Sequence, residues 1–133
     1  LSRPSELDAV RVLGKRLDVR AAHWEQRLGE LSGGNQQKVV IAKWLAAKPK
    51  VIILDEPTKG IDIGSKAAVH DFIGELAEEG LAVILISSEL PEIMGLADRV
   101  VVMQEGRIVN ILTRGTWSAE AIVSAATGAR KAA

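Results

Sequence analysis

LSGGNQQKVVIAKWLAAKPKVIILDEP, residues 31–57, contains a glycine break, an apolar segment, a β-branched run and two acids, in that order. Gly33 and Gly34 interrupt the chain ahead of Asn35–Ala47, which is apolar almost all round. That pattern predicts a buried helix, ended by Pro49, with Lys38 and Lys43 marking a solvated stripe. Val51-Ile52-Ile53-Leu54 then runs without a polar residue until Asp55-Glu56-Pro57 stops it. Runs of this kind suit a strand covered on both faces of a parallel sheet.

Working outward, Leu7, Val10, Leu13 and Leu17 follow Pro4 at mostly helical spacing, predicting a helix over Ser5–Leu17. Arg20–Leu31 is polar and reads as a loop or a short turn of helix. Downstream, Val69, Phe72, Ile73 and Leu76 keep the spacing of one helix face, with Asp62 placed to cap that helix and Gly80 to stop it. Ala82–Ile86 is a second strand of the buried type, and Pro91–Leu96 a short helical piece. Val100–Met103 and Arg107–Leu112 flank Gln104-Glu105-Gly106 as a hairpin. Ser118–Thr127 reads as a last helix stopped by Gly128. Strand, helix, strand, helix, strand is the order that builds an α/β fold with a mostly parallel sheet and crossover helices. Ligands in such sheets collect at the carboxyl ends of the strands, which places Asp55, Glu56, Ser87 and Ser88 on the functional edge.

Composition narrows the function classes. The 133 residues carry 17 Lys+Arg against 17 Asp+Glu, so the net charge is zero. A free-standing nucleic-acid binder would draw its affinity from a basic excess that is missing here. The chain has no cysteine, which excludes disulfides, thiolate metal sites and a cysteine nucleophile and fits a reducing compartment. Its apolar runs are too short to span a bilayer as helices. The first residue is Leu1 and no secretory apolar region follows it, so the chain is read as a fragment. His23 and His70 have no clustered partner at metal-ligand spacing and are expected on the surface. Trp24, Trp44 and Trp117 are too scattered for a base-stacking platform and are expected in core or interface packing. Arg130 and Lys131 read as a frayed tail.

Two features carry chemistry. Asp55 and Glu56 directly follow an apolar strand, where one carboxylate can hold a cation, Mg²⁺ being the natural one beside phosphate, and the other can orient a water. The plain alternative is a solvated strand-to-loop turn. Ser32-Gly33-Gly34-Asn35-Gln36 opens a helix whose first N–H groups and positive dipole end can take a phosphate, with Ser32 and Asn35 as neutral hydrogen-bond partners. The plain alternative there is an N-cap by Ser32. A phosphate-type helix start, a helix, a strand and then Asp-Glu within about 25 residues is far more specific than either piece alone.

That window resembles the ATP-binding-cassette ATPases. LSGGNQQK (Leu31–Lys38) is similar to their signature motif and VIILDEP (Val51–Pro57) to their Walker B strand. TKGID (Thr58–Asp62) matches the D-loop position, ILISSELPEI (Ile84–Ile93) the switch region, and ADRVVVMQEGRI (Ala97–Ile108) the strand and hairpin that end such domains. The variants NQQK, KGID and SSELPEI further resemble the second ATPase domain of tandem-domain bacterial importers for monosaccharides such as ribose, xylose or galactose. The resemblance implies a P-loop NTPase core fragment in which residues 1–48 are a helical-subdomain remnant with the signature helix. Residues 49–133 would then hold Walker B, D-loop, switch and the C-terminal hairpin and helix.

Two departures stand out. No G-x-x-x-x-G-K-[ST] occurs, so the Walker A loop and its strand are missing. Ser88 occupies the position where most such ATPases carry a switch histidine. Carried over residue by residue, the resemblance implies that Asp55 binds Mg²⁺ and Glu56 orients the attacking water for this domain's own ATP. Leu31, Ser32, Gly33, Gly34, Asn35 and Gln36 would close on ATP held by a second ATPase domain, Asp62 would bridge the two sites, and Ser88 would sit at the γ-phosphate. Permease subunits, and indirectly a periplasmic sugar-binding protein, are the further implied partners, at the cytoplasmic face of the inner membrane. The fragment itself is expected to be inactive for want of Walker A, and to self-associate through unpaired strand edges. The rival readings are a cassette ATPase outside transport and a non-catalytic structural or regulatory module.

Overall fold

The computed structural model describes residues 3–128, and Arg130 and Lys131 lie outside them. The chain divides into two units, Leu1–Ile86 and Ser87–Ala133.

In the first unit the elements run α1 (Arg3–Arg16), a single 3₁₀ turn (Leu28–Glu30), α2 (Gly33–Leu45), β1 (Val51–Asp55), α3 (Ile63–Glu78) and β2 (Ala82–Ile86). α1 ends where Asp18 takes a left-handed φ of 47°, with Asp18 N–H donating to Lys15 O and Val19 N–H to Gly14 O. The side chain of Leu7 is outside the described set, Val10 is exposed, and Leu17 is buried just past the helix. Trp24 lies against Gly14, where any Cβ would collide with its ring. α1, the polar connection and α2 line an apolar pocket of about 440 Å³ that includes Leu13, Trp24, Leu28 and Val39.

α3 is the centre of this unit's core. Val69, Phe72, Ile73 and Leu76, the four residues picked out by helical spacing, are all buried. Burial of each such side chain contributes roughly 1.5–3 kcal/mol. Asp62 caps the start, its Oδ1 accepting from Ser65 N–H at 3.0 Å. At the other end Gly80, with φ 90°, donates to Ala77 O while Leu81 N–H donates to Leu76 O, which satisfies two terminal carbonyls. Arg16 reaches across from α1 to Glu79 and lies 5.5 Å from the Phe72 ring centre.

β1 and β2 pair in parallel with Ile52 opposite Val83, Leu54 opposite Leu85 and Asp55 opposite Ile86. Here the sequence expectation needs correction. Ile52 and Leu54 are buried, but Val51 and Ile53 are 52% and 63% exposed, and Ile84 and Ile86 are nearly as open. A β-branched run specifies a strand without specifying what covers each face; the described residues of this unit supply a cover on one face only. α2 departs in the same way. Of its residues only Gly34, Lys38 and Ile41 are buried, and Val40 and Trp44 are exposed, so it is a half-buried helix and Trp44 is not a core residue.

In the second unit, α4 (Leu90–Leu96) precedes a hairpin of β3 (Arg99–Gln104) and β4 (Arg107–Thr113), followed by α5 (Ala119–Thr127). β3 pairs with β4 antiparallel, so the parallel pairing of the fold is the β1–β2 pair. The hairpin turn is the two residues Glu105 and Gly106, both at positive φ as a type I′ turn requires. Val100, Val102 and Ile122 form this unit's core, with Leu90, Ile93, Met94 and Trp117 packed against it. Ser118 caps α5 through Ala121 N–H, and Gly128 ends it at a φ of 70°, the stop that the sequence predicts.

Candidate functional site

Helix α2 begins at an exposed bend. Ser32 stands in the N-cap position with an extended backbone (φ −60°, ψ 153°), yet its side chain makes no capping bond to the helix backbone. Its Oγ instead accepts from Asn35 Nδ2 at 2.9 Å, while Asn35 Oδ1 accepts from Arg20 N–H at 2.9 Å. Gln36 Nε2 donates to Leu31 O at 2.8 Å, and Gln36 N–H to Ser32 O. The two amide side chains therefore hold the bend in shape from both sides. The donors left for a ligand are main-chain N–H groups of the first turn, which have no acceptor inside the helix. Ser32 and Gly33 are exposed, so the helix start opens to solvent.

Lys38, on the same helix, is 7% exposed and donates its Nζ to Asp18 O at 3.0 Å. The solvated stripe expected for it is wrong. A cation at the carbonyl end of α1 meets the negative end of that helix's dipole, and its methylene stem fills apolar space on the way. Lys43 is exposed, as expected, 5.7 Å from the Trp44 ring.

β1 delivers the acidic doublet. Asp55 closes the strand and is exposed; Glu56 N–H continues the ladder by donating to Ile86 O at 2.8 Å. Glu56 then takes a φ of 48°, in the left-handed region that costs a residue with a Cβ free energy. Pro57 and Thr58 are fully buried behind it, and Lys59 N–H bonds back to Glu56 O. A carboxylate held in a strained backbone by a buried anchor is the arrangement found where side-chain direction matters more than local stability.

The turn after the doublet meets the bend. A Cβ on Gly33 would lie 3.7 Å from Ile61 Cγ2 and 4.0 Å from Gly60 O. Asp62, which closes this turn, commits both oxygens to Ser65, with Oδ2 accepting from Ser65 Oγ at 2.7 Å. The Ser65 hydroxyl, and after it the Ser65 N–H, hold the Asp62 carboxyl below its ordinary value. Sequence reading found the cap but not its neighbour: Asp-x-x-Ser spacing is legible, whereas contact between Ser65 and α2 is a tertiary fact.

Ser88 follows β2 and is exposed; the preceding Ser87 accepts from Glu89 N–H at 3.0 Å and shapes the entry to α4. Among the described residues no group of three or more His, Cys, Asp or Glu could hold a metal ion by itself, and no helix is long and apolar enough to cross a membrane. The donor set nonetheless suits one kind of ion. Asp55 offers a single hard, exposed carboxylate, which fits a cation such as Mg²⁺ that takes one or two carboxylates and completes its shell with waters and phosphate oxygens.

Comparison with known proteins agrees with this architecture. A family model described as ABC transporter matches residues 5–59. The chain is 64% identical over 123 residues to a ribose import ATP-binding protein of Rhizobium meliloti, covering 92% of this chain and 24% of that protein. It is 53% identical over 119 residues to a ribose import ATP-binding protein of Lactococcus lactis, covering 90% of this chain and 24% of that one. The chain thus spans about a quarter of the length of the curated relatives it matches. Its fold superposes on a dimeric bacterial ABC transporter cassette with a TM-score of 0.76 at 21% identity, over 88% of this chain and 50% of that one. A second ABC transporter cassette matches with a TM-score of 0.75 at 25% identity, over 90% of this chain and 46% of that one. Signature-like bend, acidic doublet, family match, relatives and fold agree: this chain is similar over nine-tenths of its length to a stretch of ABC transporter ATP-binding proteins.

Proposed function

We propose that the chain is the C-terminal part of the second ATPase domain of a monosaccharide importer, ribose being the sugar named for its relatives. The observation that carries this reading is the exposed start of α2, where Ser32 and Gly33 open to solvent beside the turn that follows Asp55-Glu56. Bound MgATP supplies the transferable phosphoryl group and the cation that spreads its charge; the protein's part in such chemistry is mainly positioning and charge stabilisation. Asp55 would hold the cation, and Glu56, fixed by its left-handed backbone and the buried Pro57–Thr58 anchor, would orient the attacking water. Both act on nucleotide bound by the same domain.

The bend works on a different nucleotide. Ser32 and the amides of Gly33 and Gly34 close on the terminal phosphate of ATP held by a second ATPase domain, while Leu31, Asn35 and Gln36 keep the bend in register. Asp62 joins the two sites through the turn it caps, and Ser88 sits at the γ-phosphate in the place of a histidine. Closure driven by ATP moves permease subunits that the domain meets at the cytoplasmic face of the inner membrane, and a periplasmic sugar-binding protein is engaged indirectly. Residues 1–48 serve as the helical part and signature helix, residues 49–133 as the catalytic and switch part.

Glu56→Gln in the intact importer ATPase tests this. Hydrolysis should fall by at least about 10²-fold, the range for a group that handles the reacting proton, while MgATP binding is retained. A non-catalytic module would show no hydrolysis to lose, and a water oriented elsewhere would leave the rate unchanged; either result refutes the assignment. The 133-residue chain alone is inactive on this reading because it has no Walker A loop, so micromolar MgATP binding in titration calorimetry would contradict it. Its open β1–β2 face and edges favour self-association, and a monomer by light scattering at millimolar concentration would contradict that.

A further inference from the structure

The two glycines of the bend face different surroundings. At Gly33 an added Cβ would meet nothing nearer than Ile61 Cγ2 at 3.7 Å, an ordinary contact. Gly34 is buried, and there an added Cβ would lie 2.6 Å from both Cβ and Oγ of Ser65, closer than real Cβ atoms come. Ser65 is tethered where it stands, because its N–H and Oγ are both bound to the Asp62 carboxylate, at 3.0 and 2.7 Å. The start of α2, the start of α3 and the turn leading from Glu56 to Asp62 thus meet at one side chain.

We propose that Ser65 is a positioning residue for nucleotide closure: packed on Gly34 and bonded to Asp62, it locks the bend to the turn that follows the acidic doublet. The inference rests on the proposed nucleotide chemistry of the bend. It assigns the glycine at position 34 to a fit within the chain, set by Ser65, and leaves the glycine at 33 open for close approach of a ligand. Through this contact, a shift of the bend on reaching a phosphate is passed to Asp62 and the 58–62 turn rather than absorbed by slip between α2 and α3. Tight interiors transmit such displacements because neither helix can move without opening a void or a clash.

The test is a size exchange in the intact importer ATPase: Gly34→Ala, Ser65→Gly and the pair, each measured for kcat, equilibrium MgATP affinity and melting temperature. Gly34→Ala should cut kcat roughly tenfold or more, the scale of overpacking at a close contact. Adding Ser65→Gly moves the lost volume to the other side and should recover most of that loss, so that the two changes are strongly non-additive. MgATP affinity, to which the bend contributes through its amides, should follow kcat, falling with Gly34→Ala and recovering in the pair. A pair as slow as Gly34→Ala alone overturns the inference, and so does recovery of melting temperature without recovery of kcat. If the unsubstituted ATPase hydrolyses no ATP, the proposed function fails instead. The contact is then judged on melting alone: a pair that melts no higher than Gly34→Ala overturns it, and a restored pair upholds it.

Discussion

Lys38→Met and Lys38→Ala, compared in the 133-residue chain, separate what the buried ammonium contributes from what its stem contributes. The Nζ donates to Asp18 O at 3.0 Å from a residue only 7% exposed. A hydrogen bond from a charged donor is worth about 1.5–3 kcal/mol, part of which is offset by the cost of keeping the ammonium out of water. Methionine keeps a stem of similar length, so Lys38→Met should cost about 1 kcal/mol. Alanine removes three further methylenes at about 0.8 kcal/mol each, so Lys38→Ala should cost about 3 kcal/mol. Urea denaturation followed by circular dichroism reads both as a lower midpoint with an unchanged slope. The reasoning is refuted if Lys38→Met is as stable as the parent or more so, because the ammonium would then contribute nothing net or be a burden. It is also refuted if the two variants are equal, because the stem would then contribute nothing.

Phe72→Ala should destabilise the first unit by about 3–5 kcal/mol, whereas Ile63→Ala, at a position 87% exposed, should stay within about 0.5 kcal/mol in the same urea assay. Asp62 carries a pH signature. Its folded pKa lies below the ordinary 3.8, so its ionised form favours the folded state above that value, and the contribution is lost as pH falls through the folded pKa. The stability gap between the parent and Asp62→Asn should therefore narrow on acidification below about pH 4, and a gap that stays constant to lower pH contradicts the Ser65 bonds as its cause.

Local signals in the sequence were strong wherever one residue governs one bond. Asp62 caps, Gly80 and Gly128 stop, and the spacing of Val69, Phe72, Ile73 and Leu76 marks a buried face, each within reach of its own helix. The glycine bend at a helix start and the acidic doublet at a strand end were also legible, because each sits at a fixed end of a predicted element. What failed depended on distant neighbours. The run Val51–Leu54 looked covered on both faces, yet composition is silent on whether a second layer exists. Lys38 looked solvated because a charge on an apolar helix is usually at its edge; it is buried because the end of α1, some twenty residues earlier in the chain, presents a carbonyl to it. Gly34 looked like a site for close ligand approach, and the presence of Ser65 against it is visible only once α2 and α3 are packed.

Covalent capture tests the account most directly. The chain has no cysteine, so Ser32→Cys places a single thiol at the helix start within this stretch. An ATP analogue with a thiol-reactive group on its γ-phosphate should label that thiol rapidly in the intact ATPase, saturably and with protection by MgATP. Labelling no faster than at Ser118→Cys, an exposed helix cap in the other unit, or labelling indifferent to MgATP, would contradict a bend that closes on bound triphosphate.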